Sequence, residues 1–205
     1  MKKYKLILLI ICIILNINSI YALEGSIQHT KVYIDYSLLN EQELLNSGKY
    51  YKDLAESTKD NAEMQRKYYS LALGYYITAS EVNYNNPYTL SSVGQIYGKY
   101  NQYTLGKSYI NRSLNLAPDD FLINFNAGEF FYDNKDYFLA LKHFKKAETI
   151  NYQDKSELYI KLGKLYEKLG DLANAKTVYQ KVLEHNYNPD LDLKIRSIED
   201  LNYNR

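Results

Sequence analysis

Three histidines, one cysteine and 24 acidic residues are the raw material for metal or acid–base chemistry in this 205-residue chain. His29, His143 and His185 lie far apart, no H-x-x-x-H pair sets two imidazoles on one helix face, and Cys12 is the sole thiol. Local spacing therefore assembles no zinc-type ligand set. No Ser/His/Asp order, Gly-rich phosphate loop or dinucleotide signature is present. The expectation is a non-enzymatic protein with no metal and no cofactor, so the remaining question is what the chain is built to hold.

Composition sets the outer bounds. With 46% hydrophobic and 24% charged residues, the chain has enough apolar surface to fold and is not a disordered polymer. Lys2, Lys3 and Lys5, an unbroken apolar run from Leu6 to Leu15 and the small Ala22 read as a signal peptide over residues 1–22. The run is too short for a ~20-residue membrane helix. An uncleaved anchor, or lipidation at Cys12 in a degenerate lipoprotein box, are the alternatives. Cleavage removes three lysines and no acid, taking 25 Lys+Arg against 24 Asp+Glu to 22 against 24. The mature charge is then −2, which argues against nucleic-acid binding by charge, and the mature chain carries no thiol. Export to a periplasm or to the exterior follows as an expectation, with membrane contact only through an uncleaved or lipidated N-terminal segment.

The elements are set by a period. Gly94, Gly128 and Gly163 recur 34 and then 35 residues apart, each in a segment that otherwise reads as helix and each followed three residues later by an aromatic. A mid-helix Gly costs about 1 kcal/mol against Ala, so three in step require a packing reason. Aligned on them, the chain divides into blocks 87–120, 121–154 and 156–189, with Lys155 inserted. In the first block Leu90, Val93, Gly94 and Tyr97 share one helix face, and Tyr103, Gly106, Ile110, Ser113 and Leu114 line a second helix. Pro118 stops that helix, and Asp119 and Asp120 offer cap oxygens to the next. Small residues at Gly106, Ala140 and Ala175 are expected to face the three glycines and let paired helices approach closely. Ser113 falls on a buried slot, so Asn111-Arg112-Ser113 is a glycosylation sequon in spelling only.

This pattern resembles the tetratricopeptide repeat, a 34-residue helix–turn–helix unit, most closely in residues 156–189 with Tyr159, Leu162, Gly163, Tyr166, Ala175 and Tyr179. The resemblance implies an all-α, right-handed superhelical solenoid of antiparallel helix pairs. Residues 41–86 read as a divergent first hairpin, with Asn40 and Glu43 as its capping box and Leu45, Gly48 and Tyr51 echoing the Leu-x-x-Gly-x-x-Tyr rhythm. Leu191, Ile195, Ile198 and Leu201 make 190–205 a one-sided capping helix. Residues 23–40 read as an extended leader. Tyr97, Tyr103, Tyr137, Tyr166 and Tyr179 occupy packing slots, which explains them without a base- or sugar-stacking surface.

The resemblance also implies where a partner binds, since in this family the concave face is built from first helices and takes peptides or partner helices. By register that face would carry Tyr88, Ser91 and Gln95, then Leu122, Phe125, Glu129 and Tyr132, then Glu157, Ile160, Lys164 and Lys168. It would be partly aromatic, with an acidic middle and a basic end. Leu122, Phe125 and Tyr132 would form an exposed apolar strip unless the stack buries them. The family's carboxylate clamp is not matched, because its slots read Ser91, Gln95, Asn126, Glu157 and Lys161. The function expected is an exported protein–protein interaction scaffold. The alternatives are a structural or assembly component of a bacterial envelope complex, such as secretion or pilus machinery, and a regulatory subunit of an envelope enzyme.

Overall fold

The computed structural model describes residues 40–184 and 188–203, with side chains described at 40–184 and 188–200. The signal segment 1–22, the leader through residue 39, Cys12, His29 and His185 lie outside the described residues. The described residues form helices and their connections with no strand. The helices gather into two compact units, one ending at Ile96 and one beginning at Tyr97.

In the first unit, α1 (Glu41–Ser57) starts at a complete capping box. Asn40 Oδ1 accepts from the Glu43 amide at 3.0 Å, and the Asn40 amide donates to Glu43 Oε2 at 3.1 Å, satisfying donors that the first helical turn leaves over. α2 (Ala62–Val82) is capped by Asn61, whose Oδ1 accepts from the Met64 amide at 3.0 Å, and packs back against α1. The close-contact point is Gly48. A Cβ there would stand 2.9–3.0 Å from the Tyr76 ring. The Tyr51 ring stacks on Tyr75 at 5.6 Å. Glu41 then accepts from the amides of Asn83 at 3.1 Å and Asn86 at 2.6 Å, tying the start of α1 to the link that follows α2. Asn86 Oδ1 in turn caps α3 (Pro87–Lys99), which opens with Pro87 where a missing N–H costs nothing.

The second unit, from the last turn of α3 onward, holds α4 (Tyr103–Leu116), α5 (Phe121–Asp133), α6 (Tyr137–Thr149), α7 (Ser156–Lys168), α8 (Leu172–Leu183) and α9 (Pro189–Tyr203). α5 pairs with α6, and α7 pairs with α8. Asp120, Asp136 and Asp171 cap α5, α6 and α8, accepting from the amide three residues on. The turn before each second helix passes through one left-handed residue: Asn101 (φ 60°), Lys135 (φ 64°) and Gly170 (φ 77°). These fall at the same 34- and 35-residue spacing as the glycines, so the period is carried by turn geometry as well as by packing.

The glycines work differently from the sequence expectation. A Cβ on Gly128 would lie 2.4–2.8 Å from the Phe144 ring, and one on Gly163 would lie 2.2–2.7 Å from the Tyr179 ring. Each glycine thus seats an aromatic ring of the paired helix, sixteen residues on in both hairpins, while Ala140 and Ala175 are buried in the core without being the groups nearest it. Phe144 and Tyr179 are fully buried, and such rings dominate the core free energy.

The links between pairs are pinned by side chains. Buried Asn124 donates to Pro118 O at 2.8 Å and Asp120 O at 2.9 Å, holding the turn that leads into α5. Tyr152 stacks on Phe121 at 3.9 Å. The inserted Lys155 reaches back to donate to Glu148 O at 2.7 Å, satisfying a carbonyl of the last turn of α6. α9 closes the end. Its Leu191, Ile195 and Ile198 are buried against Ala175, Tyr179 and Val182, and Lys194–Glu167 (3.0 Å) and Lys176–Glu199 (2.6 Å) fasten its edges. Burying each of those aliphatics contributes about 1.5–3 kcal/mol and covers apolar surface that would otherwise face water.

Candidate partner-binding face

Three of the eleven register-derived positions lie on α3 within the first unit, and they differ sharply. Tyr88 is 44% exposed, whereas Ser91 and Gln95 are buried. Gln95 Oε1 accepts from Lys52 Nζ at 2.6 Å, so this amide is engaged by α1. Neither Ser91 nor Gln95 is surface, which corrects the expectation for both.

The second unit brings the other eight together on α5 and α7. Leu122 is 39% exposed at the start of α5. Phe125 is buried, stacked on Phe121 at 6.0 Å and tilted against Phe144 at 5.9 Å. Tyr132 is partly buried with its ring 5.8 Å from that of Tyr137, and desolvation raises its hydroxyl pKa above the ordinary value. The strip expected at Leu122, Phe125 and Tyr132 is therefore not a continuous exposed surface. Phe125 belongs to the core, because α5 is apolar on nearly all sides and is enclosed accordingly.

The charges also rearrange the expected picture. Glu129 on α5 accepts from Lys161 on α7. Burial alone would lower the Lys161 pKa, but the Glu129 carboxylate beside it, with Glu157 and Asp133 further off, holds it above the usual lysine value. Asp133, one turn on from Glu129, pairs with Lys99 at 2.5 Å. The acidic middle is thus neutralised by lysines from the neighbouring first helices. Beyond it, Glu157, Lys164 and Lys168 are exposed, and Ile160 is partly buried against the α8–α9 core. The basic end of the face is thus exposed at Lys164 and Lys168.

Lys99 was not among the positions derived by register, and Lys161 entered only as a slot of the unmatched carboxylate clamp, yet both decide the electrostatics. Their signal in the sequence is opposite charge at nearly one repeat's distance: Lys99 and Asp133 are 34 apart, Glu129 and Lys161 are 32 apart. Among the described residues no group of three or more His, Cys, Asp or Glu could hold a metal ion, and no helix is long and apolar enough to cross a membrane. His143 sits between α5 and α6, its ring stacked on Phe131 at 5.5 Å and its Nδ1 3.5 Å from Asn124 Oδ1. Desolvation, helped by Lys142, lowers its pKa to about 4, so it is a neutral packing residue near pH 7.

Residues 156–188 match the tetratricopeptide repeat family model. No curated protein sequence matches the chain. Among solved structures, Pseudomonas aeruginosa pilF is similar with a TM-score of 0.62 at 17% identity, over 78% of this chain and 70% of that one. The N-terminal domain of stress-induced protein-1 from C. elegans gives 0.48 at 16% identity over 55% of this chain and 94% of its own. A tetratricopeptide repeat protein from Thermus thermophilus gives 0.40 at 19% identity, over 78% and 98%. The fold is that of the tetratricopeptide-repeat solenoid proteins, and residues 156–188 carry that family's sequence signature.

Proposed function

We propose that the chain is a non-enzymatic scaffold, exported from the cell, that holds a protein or peptide partner against the first-helix side of α5 and α7. The observation that carries this reading is the division of that side into a neutralised floor and an open rim. The partly buried Glu129–Lys161 pair forms the floor, the more exposed Lys99–Asp133 pair cancels a second acid, and Glu157, Lys164 and Lys168 stay exposed. Fixed ion pairs between successive first helices give the face a set shape, and free lysines at its rim can steer and orient a partner. The fold is a reason to expect binding and names no cargo.

The test is crosslinking in cells followed by mass spectrometry, comparing the wild type with Lys164→Glu combined with Lys168→Glu. Both side chains are exposed, so the variant should fold, as circular dichroism would establish. Loss of the partner crosslinks is expected. Retention of every partner with unchanged yield would show that binding lies elsewhere. Export is read separately, by fractionation and by sequencing the mature N-terminus, where Leu23 is expected and a purely cytoplasmic product would refute it.

A further inference from the structure

The opposite side of the second unit carries a different signal. The second helices α4, α6 and α8 hold Lys107, Arg112, Lys142, Lys145, Lys146, Lys176 and Lys181 against one acid, Glu148, so seven cations minus one anion leaves +6 on these three helices. Glu148 pairs with Lys145 and with Lys181 (2.8 Å), and Lys146–Asp119 (2.5 Å) and Lys176–Glu199 (2.6 Å) reduce the total further without reversing it. The exposed stripe of α6 runs Phe138, Lys142, Lys145, Lys146 and Thr149. Phe138 is 80% exposed, more than any other large apolar side chain among the described residues.

Packing does not require a phenyl ring there. The equivalent positions one repeat either side are Thr104 and Ala173, both exposed on helices that fold in the same role. An exposed Phe one turn before a lysine cluster, on three helices that together carry one acid and where Glu148, Asp119 and Glu199 offset only part of the charge, combines an apolar wedge with cationic anchors. Nucleic acid would use the charge but would leave the isolated ring without a reason, and a protein partner would more often present a larger apolar patch. We infer that the outer face of α6 docks on an anionic phospholipid bilayer, with Phe138 entering the interfacial layer and Lys142, Lys145 and Lys146 on the headgroups. This contact is independent of the N-terminal segment and leaves the first-helix side of the same unit turned away to receive a partner.

The chain contains no tryptophan, so Phe138→Trp places a single reporter at the proposed contact in the full-length protein. Titration with vesicles of phosphatidylglycerol mixed into phosphatidylcholine should shift its emission to the blue, and brominated lipid should quench it. Pure phosphatidylcholine vesicles should produce no shift at the same concentration. Adding Lys142→Gln, Lys145→Gln and Lys146→Gln should weaken apparent binding by on the order of fivefold per lysine at low salt. The reporter is local, so an apolar N-terminal segment that binds lipid by itself would not shift the emission. An emission spectrum unmoved by phosphatidylglycerol vesicles would overturn the inference. So would a shift with polyglutamate or heparin but not with vesicles, which would assign the face to an acidic macromolecule instead.

Discussion

Replacing each ring-seating glycine with alanine should destabilise the protein in the order Gly163, Gly128, Gly48. In a helix interior the substitution by itself favours folding by about 1 kcal/mol. Against this stands the new methyl group. At Gly163 its nearest neighbours would be Tyr179 ring atoms at 2.2, 2.4 and 2.7 Å, well inside the ~3.5–4.0 Å of ordinary carbon contact. The ring has little freedom to yield. It is fully buried, its hydroxyl donates to Glu167 at 3.1 Å, and Lys194 stands 5.4 Å from its centroid. Overpacking of this kind costs about 1–3 kcal/mol and occasionally more, so Gly163→Ala should lose a net ~2 kcal/mol. Gly128→Ala, with Phe144 atoms at 2.4–2.8 Å, should lose a net ~1 kcal/mol. Gly48→Ala meets Tyr76 at 2.9–3.0 Å, the least severe of the three clashes, and should lose the least, a net change within ~1 kcal/mol of zero. The assay is urea unfolding of the full chain followed by circular dichroism, with amide exchange on α7 and α8 to localise the loss should the two units unfold separately. A double-mutant cycle of Gly163→Ala with Tyr179→Leu should show coupling of at least ~1 kcal/mol, because removing the ring removes the clash. A neutral Gly163→Ala, or zero coupling in the cycle, would refute the ring-on-glycine account.

Two further outcomes follow from local geometry. Lys135 sits at φ 64° where its repeat counterpart is Gly170, so Lys135→Gly should stabilise by up to about 1 kcal/mol, while Gly170→Ala should destabilise by a similar amount despite the open space around it; thermal midpoints check both. His143 has a folded-state pKa lowered to about 4 from an ordinary 6.5, mainly by desolvation. The unfolded chain therefore binds the proton first as pH falls, and the stability held by the neutral ring is present above pH 6.5 and lost between 6.5 and about 4. With the ring only partly shielded from solvent, that loss should be about 1–2 kcal/mol, and His143→Gln should remove it from the pH dependence of unfolding.

The all-α repeat architecture was legible because it rests on a period, and a period survives in the sequence wherever packing forces the same residue into the same slot. The C-terminal cap was legible for a related reason: Leu191, Ile195 and Ile198 share one helix face and must bury it. What the glycines touch was not legible. Gly128 and Gly163 could be placed on helices, but whether they faced Ala140 and Ala175 or the rings of Phe144 and Tyr179 depends on helix rotation by a fraction of a turn. The same rotation separates Phe125, buried between Phe121 and Phe144, from the exposed Leu122 three residues before it. Register transfers a position to a helix face only as finely as the neighbouring helices allow. The ion pairs were missed because they join residues about a repeat apart, and opposite charges at that spacing are common in a sequence this rich in Lys, Asp and Glu.

Residues that serve binding are best sought where the repeat makes no demand. At the ring-seating slot the fold requires a glycine opposite an aromatic, and Gly128 with Phe144 or Gly163 with Tyr179 says nothing about a partner. At position 138 the fold accepts Thr104 or Ala173 in the neighbouring units, so the Phe there is not explained by folding. Lys164 and Lys168 are in the same situation on the other side, exposed beyond the Glu129–Lys161 pair that the floor of the face already uses. Exposing a phenyl ring leaves unburied the apolar area whose burial stabilises other core rings by about 1.5–3 kcal/mol each. Phe138→Thr should accordingly leave the urea midpoint unchanged while weakening attachment of the α6 face to anionic vesicles by roughly tenfold or more. A large loss of stability in that variant would show instead that the ring packs for the fold's own sake.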